Sequence, residues 1–330
     1  MAPVAWSDPS VVATVVVVAW NGAHLLDACL DAVAEQHLDD VFITRVIDNA
    51  STDASAAVAA GHPIGARVVT LERNVGFAGA AELAVREATT PFVVVLNQDA
   101  CPSPGWLAAL LAPLTAPESH RVGAVTSKVL FERDGRINNT GVIVRRDGYG
   151  RDRGFGEPDD GRFVEAEDVF AFSGTAAAIR VLAARDAGSF DPSFFLYYED
   201  TDLSWRLQLA GWRVRYAPDA IVHHVHAASS DISSKAFAFY NERNRLLMLA
   251  KCAPLLLAVK EVVRFATITV LLPVRRLRRV EIPSGHQFRT PLRLRVLGSY
   301  ARLLPSMLVK RRAVSRSARR SRAEVARELT

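Results

Sequence analysis

The apolar run Val11–Ala19 and the regular pattern after it limit the fold more than any other feature of the chain. A run that is apolar on both faces is typical of a central parallel strand covered by helices on both sides. Further strands are predicted over Val41–Asp48, Arg67–Leu71 and Phe92–Asn97, with helices over Ala23–Gln36, over Thr52–Ala60 and from about Phe77. This alternation predicts an α/β fold built on an open parallel sheet.

Polar residues follow each of these four strands. They are Trp20-Asn21, Asp48-Asn49-Ala50-Ser51-Thr52-Asp53, Asn74-Val75-Gly76-Phe77 and Asn97-Gln98-Asp99. One such cluster could be ordinary turn chemistry, because turns favour Asn, Asp and Gly. Ligands of open α/β sheets bind beyond the carboxyl ends of the strands. Four clusters at successive strand ends therefore predict a ligand site along this edge.

The middle of the chain is mixed. Strands are predicted near Val122–Thr126 and Gly141–Val144, a polar mobile loop over Arg145–Asp160, and later strands over Trp212–Tyr216 and Ala220–His226. A helix is predicted from about Asp200, with Gly211 placed to end it. Arg206 follows Asp202 by four residues, which predicts an ion pair on that helix and a structural role for Asp202.

An acidic and aromatic stretch begins this helix. Tyr197-Tyr198 precede Glu199, Asp200 and Asp202, and His223, His224 and His226 follow within thirty residues. A carboxylate beside aromatic rings is partly desolvated, which raises its pKa toward the range of a general base. The alternative is that the acids only cap the helix. In an extended strand His224 and His226 share a face, so either could be a metal ligand or an ordinary histidine.

Charge is distributed unevenly along the chain. Residues 251–330 carry 19 Lys and Arg against 4 Asp and Glu, a net charge of +15, whereas residues 1–250 carry 21 against 31, a net charge of −10. A basic tail on an acidic body predicts a polyanion partner, either nucleic acid or an anionic membrane face. Three scattered cysteines exclude a disulfide framework and predict a reducing compartment. No signal peptide is recognised at the start.

The segment Leu255–Leu272 is apolar but carries Lys260, Glu261 and Arg264. Its uncharged runs are far shorter than the ~20 residues that span a bilayer. The pattern fits a helix in a membrane interface, and equally a helix packed on the main domain with an exposed basic face. The basic clusters at Arg275–Arg279 and Lys310–Arg322 favour the membrane for the tail as a whole.

Nine motifs occur in order over about residues 11–250. They are Trp20-Asn21, Asp48–Asp53, Asn74–Gly79, Leu96–Asp99, Ser173-Gly174, Phe190-Asp191, Phe195–Asp200, Gly211-Trp212 and His224-Val225-His226. As a set they resemble the family 2 glycosyltransferases, particularly the bacterial rhamnosyltransferase-like branch. The chain departs from the family pattern at Asn97, which stands where the metal motif has an aspartate, and at Trp20, where a tyrosine is frequent.

The resemblance implies the GT-A fold and an inverting transfer of a sugar from a nucleotide-diphosphate sugar. A catalytic domain is then expected over residues 1–240, with a donor-binding half over about 1–115 and an acceptor half over about 116–240. Residues 241–330 form a basic helical extension in this scheme. The expected donor is dTDP-rhamnose, or another dTDP- or UDP-sugar, and the expected acceptor is a cell-envelope or polyprenyl-linked glycan.

The resemblance also implies roles for individual residues. Asp200 is the expected base, with Glu199 as the second candidate, and Asp99 with His224 the expected ligands of Mg²⁺ or Mn²⁺. The nucleotide is expected at Trp20, Asn21, Asp48, Asp53, Asn74, Gly76 and Asn97. The acceptor is expected at Ser173, Gly174, Tyr197 and Tyr198, and phosphate near Arg243 and Arg245.

Two other classes of function compete with this prediction. A nucleic-acid-binding protein would use the basic tail, but it leaves the acidic body unexplained and has no recognisable binding motif. A nucleotidyltransferase would need a glycine-rich, lysine-bearing loop after Ala19, which the chain lacks. The favoured prediction is a cytoplasmic enzyme that is peripheral on the inner face of the cell membrane and has no nucleic-acid partner.

Overall fold

The computed structural model describes residues 11–117, 119–225 and 234–330. Its strands are β1 Val11–Ala19, β2 Val41–Asp48, β3 Arg67–Thr70, β4 Phe92–Asn97, β5 Ala100–Pro102, β6 Val122–Phe131, β7 Ile137–Asn139, β8 Val142–Val144, β9 Gly150–Asp152, β10 Asp168–Val169, β11 Ala176–Arg180 and β12 Arg213–His224. Its helices are α1 Ala23–Ala34, α2 Ser55–Gly61, α3 Gly76–Arg86, α4 Trp106–Thr115, α5 Val181–Asp186, α6 Glu199–Leu209, α7 Lys235–Cys252, α8 Leu255–Leu277, α9 Thr290–Ser317 and α10 Arg322–Val325.

One large mixed sheet forms the centre of the molecule, in the order β10-β12-β6-β11-β4-β1-β2-β3. The first four strands along the chain are parallel, as the sequence predicts, and β1 pairs with both β2 and β4. Strand β11 then inserts antiparallel between β4 and β6. Apolar cores cover both faces of the sheet, which explains why β1 is buried almost throughout.

The register of the parallel strands brings the predicted polar clusters together. Ala19 lies opposite Asp48, and Val18 lies opposite Asn97. The residues that follow these three positions therefore leave the sheet side by side. We call this carboxyl-terminal edge of β1, β2 and β4 the donor edge, after the ligand that the sequence analysis expects there.

The middle of the chain differs from the sequence prediction in two places. The polar stretch Arg145–Asp160 is not all loop, because β9 within it forms a hairpin with β8. The two strands predicted after Gly211 are one strand, β12, that pairs with β6 across an irregularity after Ala217. The helix predicted from about Asp200 is α6, and Gly211 has the left-handed φ of 81° expected just after it.

The C-terminal helices share a hydrophobic core with the catalytic part of the chain. Leu246 and Leu249 of α7, Phe265 of α8 and Tyr300 of α9 belong to the same buried cluster as Trp205 of α6. The domain boundary predicted at residue 240 falls inside α7. Residues 241–330 are thus packed on the rest of the chain and do not form a free tail.

Helix α8 packs with one face and exposes the other. Ala258, Glu261, Phe265, Thr269 and Leu272 are buried. Leu256, Val259, Val263, Val270, Val274 and Leu277 are between 42% and 86% exposed. In the described ranges no helix combines the length and apolarity that a bilayer crossing requires.

Candidate functional site

At the donor edge, Trp20 is held by its main chain and leaves its ring exposed. The main-chain N–H of Trp20 donates to Gln98 Oε1 at 2.9 Å, and Gln98 Nε2 donates to Trp20 O at 3.0 Å. The buried Gln98 lies so close to Gly22 that a Cβ there would be 2.4 Å from its amide group. The indole is 46% exposed, which fits a ring that stacks on a ligand. Gln98 belongs to the Leu96–Asp99 motif, but the sequence analysis did not predict that it holds the loop after β1.

Asn21 and Asp53 join the loops after β1 and β2. Asn21 Oδ1 accepts from the main-chain N–H of Thr52 at 2.8 Å. Asp53 Oδ2 accepts from Ala23 N at 3.1 Å, and its Oδ1 accepts from the main chain and hydroxyl of Ser55. These hydrogen bonds, the Ser55 hydroxyl first, lower the pKa of Asp53. Both residues lie at the predicted edge, and both are engaged in shaping it.

Asp48 differs from Asp53 because one of its carboxylate oxygens has no partner. The residue is 1% exposed, and Oδ1 accepts only a long bond of 3.4 Å from Ser51 N. Oδ2 is buried without a hydrogen bond from the described residues. A buried acceptor that lacks a donor is costly, so a ligand N–H or O–H would stabilise it. Asp48 is the strongest structural candidate among the predicted nucleotide-binding residues.

Asn74 and Gly76 connect the donor edge to the acceptor side. Asn74 Oδ1 accepts from Gly76 N at 2.8 Å and forms the turn that starts α3. Gly76 has a φ of 73°, and a Cβ there would lie 2.0 Å from Phe195 O. The same carbonyl accepts from Ala78 N at 3.1 Å. The close approach that requires glycine is therefore to the Phe195 backbone, a reason the sequence did not indicate.

Asp99 and His224 are brought together by the pairing of β5 with β12. His224 Nε2 lies 3.1 Å from Asp99 Oδ1, and Nδ1 lies 3.2 Å from Asn138 Oδ1. Asp99 is 3% exposed, and the neighbouring Asn97 directs its main-chain N–H to Thr175 O. His226 lies outside the described residues.

This pair suits a divalent ion of the Mg²⁺ or Mn²⁺ class in its chemistry. Such ions are commonly held by one or two carboxylates together with phosphate oxygens and water. Asp99 offers the carboxylate and His224 an imidazole. Within residues 11–117, 119–225 and 234–330, no group of three or more His, Cys, Asp or Glu is arranged to hold a metal without further ligands. Further ligands would therefore have to come from outside this pair.

Asp200 and Glu199, the two predicted bases, differ in their environments. Asp200 is half-buried, with Oδ2 accepting from Gly174 N at 2.9 Å and Oδ1 accepting from the Thr201 hydroxyl at 3.0 Å. Burial raises the pKa of Asp200, although these hydrogen bonds offset part of the rise. Glu199 is 5% exposed, and its Oε2 has no partner among the described residues.

Burial, followed by the charge of Asp200, holds the pKa of Glu199 well above its usual range. Asp200 differs in that it is partly exposed and both of its carboxylate oxygens accept hydrogen bonds. The Gly174 backbone is held against this carboxylate, where a Cβ would be 3.5 Å from Asp200 Oδ2. Ser173 is buried, and its hydroxyl lies 3.2 Å from that of Thr175.

Asp152 on β9 is a functional candidate that the sequence prediction missed. Although much of the residue is exposed, desolvation of its carboxyl group raises its pKa to about 6, with the nearby charge of Asp200 as the second cause. Asn139 Nδ2 donates to its Oδ1. The sequence signal was weak, because Asp152 lies in the polar stretch predicted to be a loop.

The segment between Phe194 and Glu199 has an unusual backbone. Phe195, Tyr197 and Tyr198 have φ values of 67°, 68° and 70°, which side chains other than glycine rarely adopt. Asn244 of α7 holds this segment, since its Nδ2 donates to Phe194 O, Leu196 O and Tyr197 O at 2.7–2.9 Å. We call residues 193–198 the acceptor loop. Strain at such a site is maintained only when surrounding contacts enforce it.

The two arginines that flank Asn244 in sequence, Arg243 and Arg245, also hold nearby main chain in place. Arg243 is buried and donates to Ser193 O and Phe194 O. Arg245 is buried and bonds to Asp147 O, Glu242 and Glu261. Phosphate contact was expected for both, and the structure instead engages both with protein groups.

The two predicted acceptor tyrosines have different positions. Tyr197 is half-buried and packs edge-on against Phe237, with ring centroids 5.0 Å apart. Tyr198 is 7% exposed, and its hydroxyl accepts from Gly150 N at 3.0 Å. Its ring belongs to the core around α7, so Tyr197 is the one placed to meet a ligand.

Buried charges lie behind the acceptor loop. Asp202 accepts from Arg206 at 2.7 Å, which confirms the predicted pair, and also from Lys251 at 2.8 Å. Asp191 pairs with Lys251 at 2.7 Å and with Lys310 at 2.6 Å. Burial opposes ionisation of Asp191, but the two lysines outweigh it and hold its pKa well below the usual range. This network ties the start of the acceptor loop to α7 and α9.

The fold defines a GT-A protein, in which the parallel strands β1–β4 continue into a mixed half of the same sheet, with helices on both faces. Residues 14–188, just over half of the chain, match the model of the family described as Glycosyl transferase family 2, and the chain belongs to that family. The fold and family expected from the sequence are thereby confirmed.

Relatives and solved structures agree with this assignment. The chain is 31% identical over 164 residues to a pre-mycofactocin glycosyltransferase of Mycobacterium tuberculosis, a match over 49% of this chain and 33% of that protein. It is 39% identical over 70 residues to an N-acetylglucosaminyl-diphospho-decaprenol L-rhamnosyltransferase of the same organism, over 21% of this chain and 23% of the relative. The chain thus spans about a third or less of the length of these relatives.

Among solved structures, the fold is similar to that of the mannosyltransferase PcManGT from Pyrobaculum calidifontis in complex with GDP-Man and Mn²⁺. The TM-score is 0.53 at 20% identity, over 92% of this chain and 85% of that one. At this identity the likeness concerns the fold.

Proposed function

We propose that the chain is an inverting glycosyltransferase in which Asp200 removes the proton from the acceptor hydroxyl. The observation that supports this proposal is the environment of the Asp200 carboxylate. It is half-buried, fixed by the Gly174 N–H, and has a pKa raised by burial. In a single in-line displacement the acceptor oxygen attacks the anomeric carbon as its proton passes to the carboxylate and the diphosphate departs. A base of raised pKa that remains ionised at the working pH suits that step.

The donor is proposed to be a nucleotide-diphosphate sugar bound at the donor edge. The unpartnered Asp48 Oδ2 is placed to accept a hydrogen bond from the nucleobase or ribose. The exposed ring of Trp20 offers a stacking surface for the base. A divalent ion held at Asp99 and His224 would neutralise charge on the departing diphosphate.

Rhamnose, carried by dTDP, is the proposed donor sugar. Support comes from the rhamnosyltransferase relative of M. tuberculosis and from a second one in Escherichia coli that is 42% identical over 52 residues. The name of the M. tuberculosis rhamnosyltransferase, which includes a diphospho-decaprenol, favours an acceptor carried on a polyprenyl diphosphate, and we propose that this acceptor belongs to the cell envelope.

A membrane position follows from this acceptor and from the exposed face of α8. The six exposed aliphatic residues of α8 described above recur at helical spacing, so they form one stripe. Lys260, Arg264 and Arg275 are exposed beside it. Aliphatic side chains with adjacent cations are typical of a helix that lies in the interface of an anionic membrane. We propose that this stripe rests on the inner face of the cell membrane.

The experiment for the catalytic proposal is a donor panel. Purified protein is incubated with dTDP-rhamnose, UDP-sugars and GDP-mannose, with Mg²⁺ or Mn²⁺ and a membrane lipid extract. One donor should be turned over, and Asp200→Asn should reduce turnover about 10³-fold, as expected for loss of a general base. A variant as active as the unsubstituted chain would refute the role of Asp200.

The membrane proposal is tested with point variants, because deleting residues 251–330 would remove the core that α7–α9 share with α6. The double variant Val263→Asp/Val270→Asp should lose co-sedimentation with phosphatidylglycerol vesicles. Leu182→Asp, at a 68% exposed leucine on α5, is the matched control and should bind normally. Equal binding by both variants would exclude the stripe as the contact.

A further inference from the structure

A cavity outside the donor edge lies between α7, α8 and the segment 285–289. Its volume is about 790 Å³. Aromatic rings form much of its wall, those of Tyr149, Phe237, Phe265 and Phe288. It is large enough for a ligand head group, and nothing in the catalytic proposal uses it.

The lining of the cavity has an excess of positive charge. Five arginines line it with two carboxylates, Glu242 and Glu261, which both pair with Arg245. Arg145 and Arg264 pair with Asp147, and Arg264 also with Glu261, which leaves Arg289 and Arg293 without a carboxylate partner among the described residues. Arg293 is 4% exposed, and its guanidinium donates to Thr269 Oγ1, Gln287 O and Phe265 O and lies 3.7 Å from the centroid of the Phe265 ring, all of them neutral groups.

In the described part of the chain, no carboxylate lies within ion-pair distance of Arg293 or of the exposed Arg289. Buried or crowded cations without counter-ions favour an anion, and guanidinium groups match phosphate geometry. The cavity therefore suits a phosphate-bearing ligand better than a neutral one.

The cavity is adjacent to the catalytic residues on one side. Phe237 in its wall packs against Tyr197 of the acceptor loop. Tyr149, also in the wall, precedes Asp152 by three residues, about 10 Å of extended chain. Asp152 in turn lies close enough to Asp200 for their charges to interact. One acceptor molecule could therefore reach from the cavity to the base.

On its other side the cavity borders a second cavity. A second cavity of about 500 Å³ shares His286 and Arg289 with it and is lined by Phe239, Tyr240, Pro291 and Leu292. Arg264 lines the first cavity and also flanks the exposed stripe of α8. Lys235 and Arg295 also line the second cavity, so its wall combines cations with aromatic and aliphatic side chains. A basic cavity beside such a wall matches an amphiphile with an anionic head.

We propose that the two cavities form a binding site for the phosphate-bearing head and first isoprenoid units of a polyprenyl-linked acceptor. Arg264, Arg289 and Arg293 hold the phosphate oxygens, and Phe239 and Leu292 contact the chain. This inference rests on the proposed glycosyl transfer, since it specifies the acceptor of that reaction.

The test is a calorimetric titration of the full chain with farnesyl diphosphate, without donor and in EDTA, so that no metal recruits the diphosphate to Asp99. Binding is expected, and Arg289→Ala should weaken it about tenfold, the loss of one charge-assisted hydrogen bond. The matched control is Arg316→Ala, an exposed arginine of α9 that lies 27 residues further along, about 40 Å away. It should bind as the unsubstituted chain does.

Two further ligands separate the sources of affinity. Inorganic pyrophosphate and farnesol should each bind at least tenfold more weakly than farnesyl diphosphate. Absent binding, an unaffected Arg289→Ala variant, or pyrophosphate that binds as tightly as farnesyl diphosphate would overturn the proposal. If the chain turned over no donor but bound farnesyl diphosphate through Arg289, the proposed function would be refuted and this binding site would stand. If it turned over a donor but did not bind farnesyl diphosphate, the proposed function would stand and this site would be refuted.

Discussion

The donor edge and the acceptor loop are held in place by different means. At the donor edge, hydrogen bonds join neighbouring strand ends, as between Asn21 and Thr52 or between Gln98 and Trp20. The acceptor loop is fixed by side chains from helices far along the chain, chiefly Asn244 and the lysines Lys251 and Lys310. The donor edge depends on the sheet, whereas the acceptor loop depends on the C-terminal helices.

Residues 235–317 therefore have a structural role in addition to the membrane contact proposed for α8. Besides the surface that α8 presents, α7 and α9 maintain three residues in left-handed backbone conformations just before Glu199 and Asp200. The carboxylate of Asp200, the proposed base, is thus positioned from one side through Gly174 and from the other side by the helices. Damage to α7 or α9 should impair chemistry while leaving donor binding intact.

The largest expected effect separates the two acids at this junction. Asp200→Asn removes the base and should lower kcat about 10³-fold, as in the donor panel. Glu199→Gln should change kcat by no more than a few-fold, because burial and the charge of Asp200 raise the pKa of Glu199 and favour its neutral form, which glutamine resembles in shape. Steady-state kinetics with saturating donor measure both. The reverse ranking would make Glu199 the base.

The pH dependence gives an independent view of the same group. The base acts only when it is deprotonated, so kcat/KM should fall as the pH drops through the pKa of Asp200. Because burial raises that pKa, the fall should begin at a higher pH than the ~3.9 of an ordinary aspartate. The profile of Glu199→Gln should nearly overlay that of the unsubstituted enzyme. An acidic limb at the ordinary aspartate value would contradict the burial of Asp200.

Lys251→Met tests the buried charges behind the acceptor loop. Removing one partner of a buried pair costs about 3–5 kcal/mol. Asp191 keeps Lys310 and Asp202 keeps Arg206, so a loss near 3 kcal/mol in the free energy of unfolding is expected. Urea unfolding at pH 7 measures it, with the exposed Lys260→Met as a control within about 0.5 kcal/mol.

Acid should reduce this difference between Lys251→Met and the unsubstituted chain. The pKa of Asp191 is lowered in the folded state, so its stabilising effect is present above the unfolded value of ~3.9 and is lost as the pH falls through the folded value. The two unfolding free energies should therefore converge in that range. A gap that stayed constant down to pH 2 would mean that Lys251 stabilises by packing alone.

Asn244→Ala should have a smaller effect on stability and a selective effect on catalysis. It removes three hydrogen bonds to carbonyl groups of the acceptor loop, although Arg243 still serves Phe194 O. The expected loss is about 2 kcal/mol of stability, with a lower kcat and an unchanged donor KM. Asn241→Ala is the matched control for stability, since it makes the same change on the same helix at a side chain for which the described residues provide no hydrogen bond; because Asn241 lines the cavity of about 790 Å³, its kcat is not used. A raised donor KM in Asn244→Ala would show that the two regions are coupled.

The sequence predicted the donor edge well because its determinants are local. Strand length, apolar pattern and turn residues located β1, β2 and β4, and parallel pairing then placed Trp20, Asp48 and Asp99 at one edge. The same reasoning could not separate Asp48 from Asp53. Only the structure shows that Ser55 and Ala23 engage the Asp53 carboxylate while Asp48 Oδ2 lacks a partner.

The acids that follow the acceptor loop were predictable from the sequence, but the side chains that hold the loop in place were not. Asp200 and the Asp202–Arg206 pair follow from spacing and from the family motif. Asn244 and Lys251 act across about fifty residues of chain, and neither belongs to a recognised motif. A polar or charged residue between buried apolar ones on α7 was the available signal. Tyr198 shows the same limit, because its neighbour Tyr197 has an identical side chain and a different environment.

The smallest expected effect is that of Trp20→Leu, at the donor edge. The main chain of Trp20 is held by Gln98, so the loop should keep its conformation when the ring is replaced. An aromatic stacking contact contributes about 1 kcal/mol, which predicts a donor KM raised about fivefold at constant kcat. Gln98→Ala makes the opposite change, since it keeps the ring and releases the loop, and it should lower the melting temperature as well. If Trp20→Leu altered kcat and left the donor KM unchanged, the ring would act on the acceptor and not on the donor. The separation of the donor edge from the acceptor loop would then be wrong for Trp20.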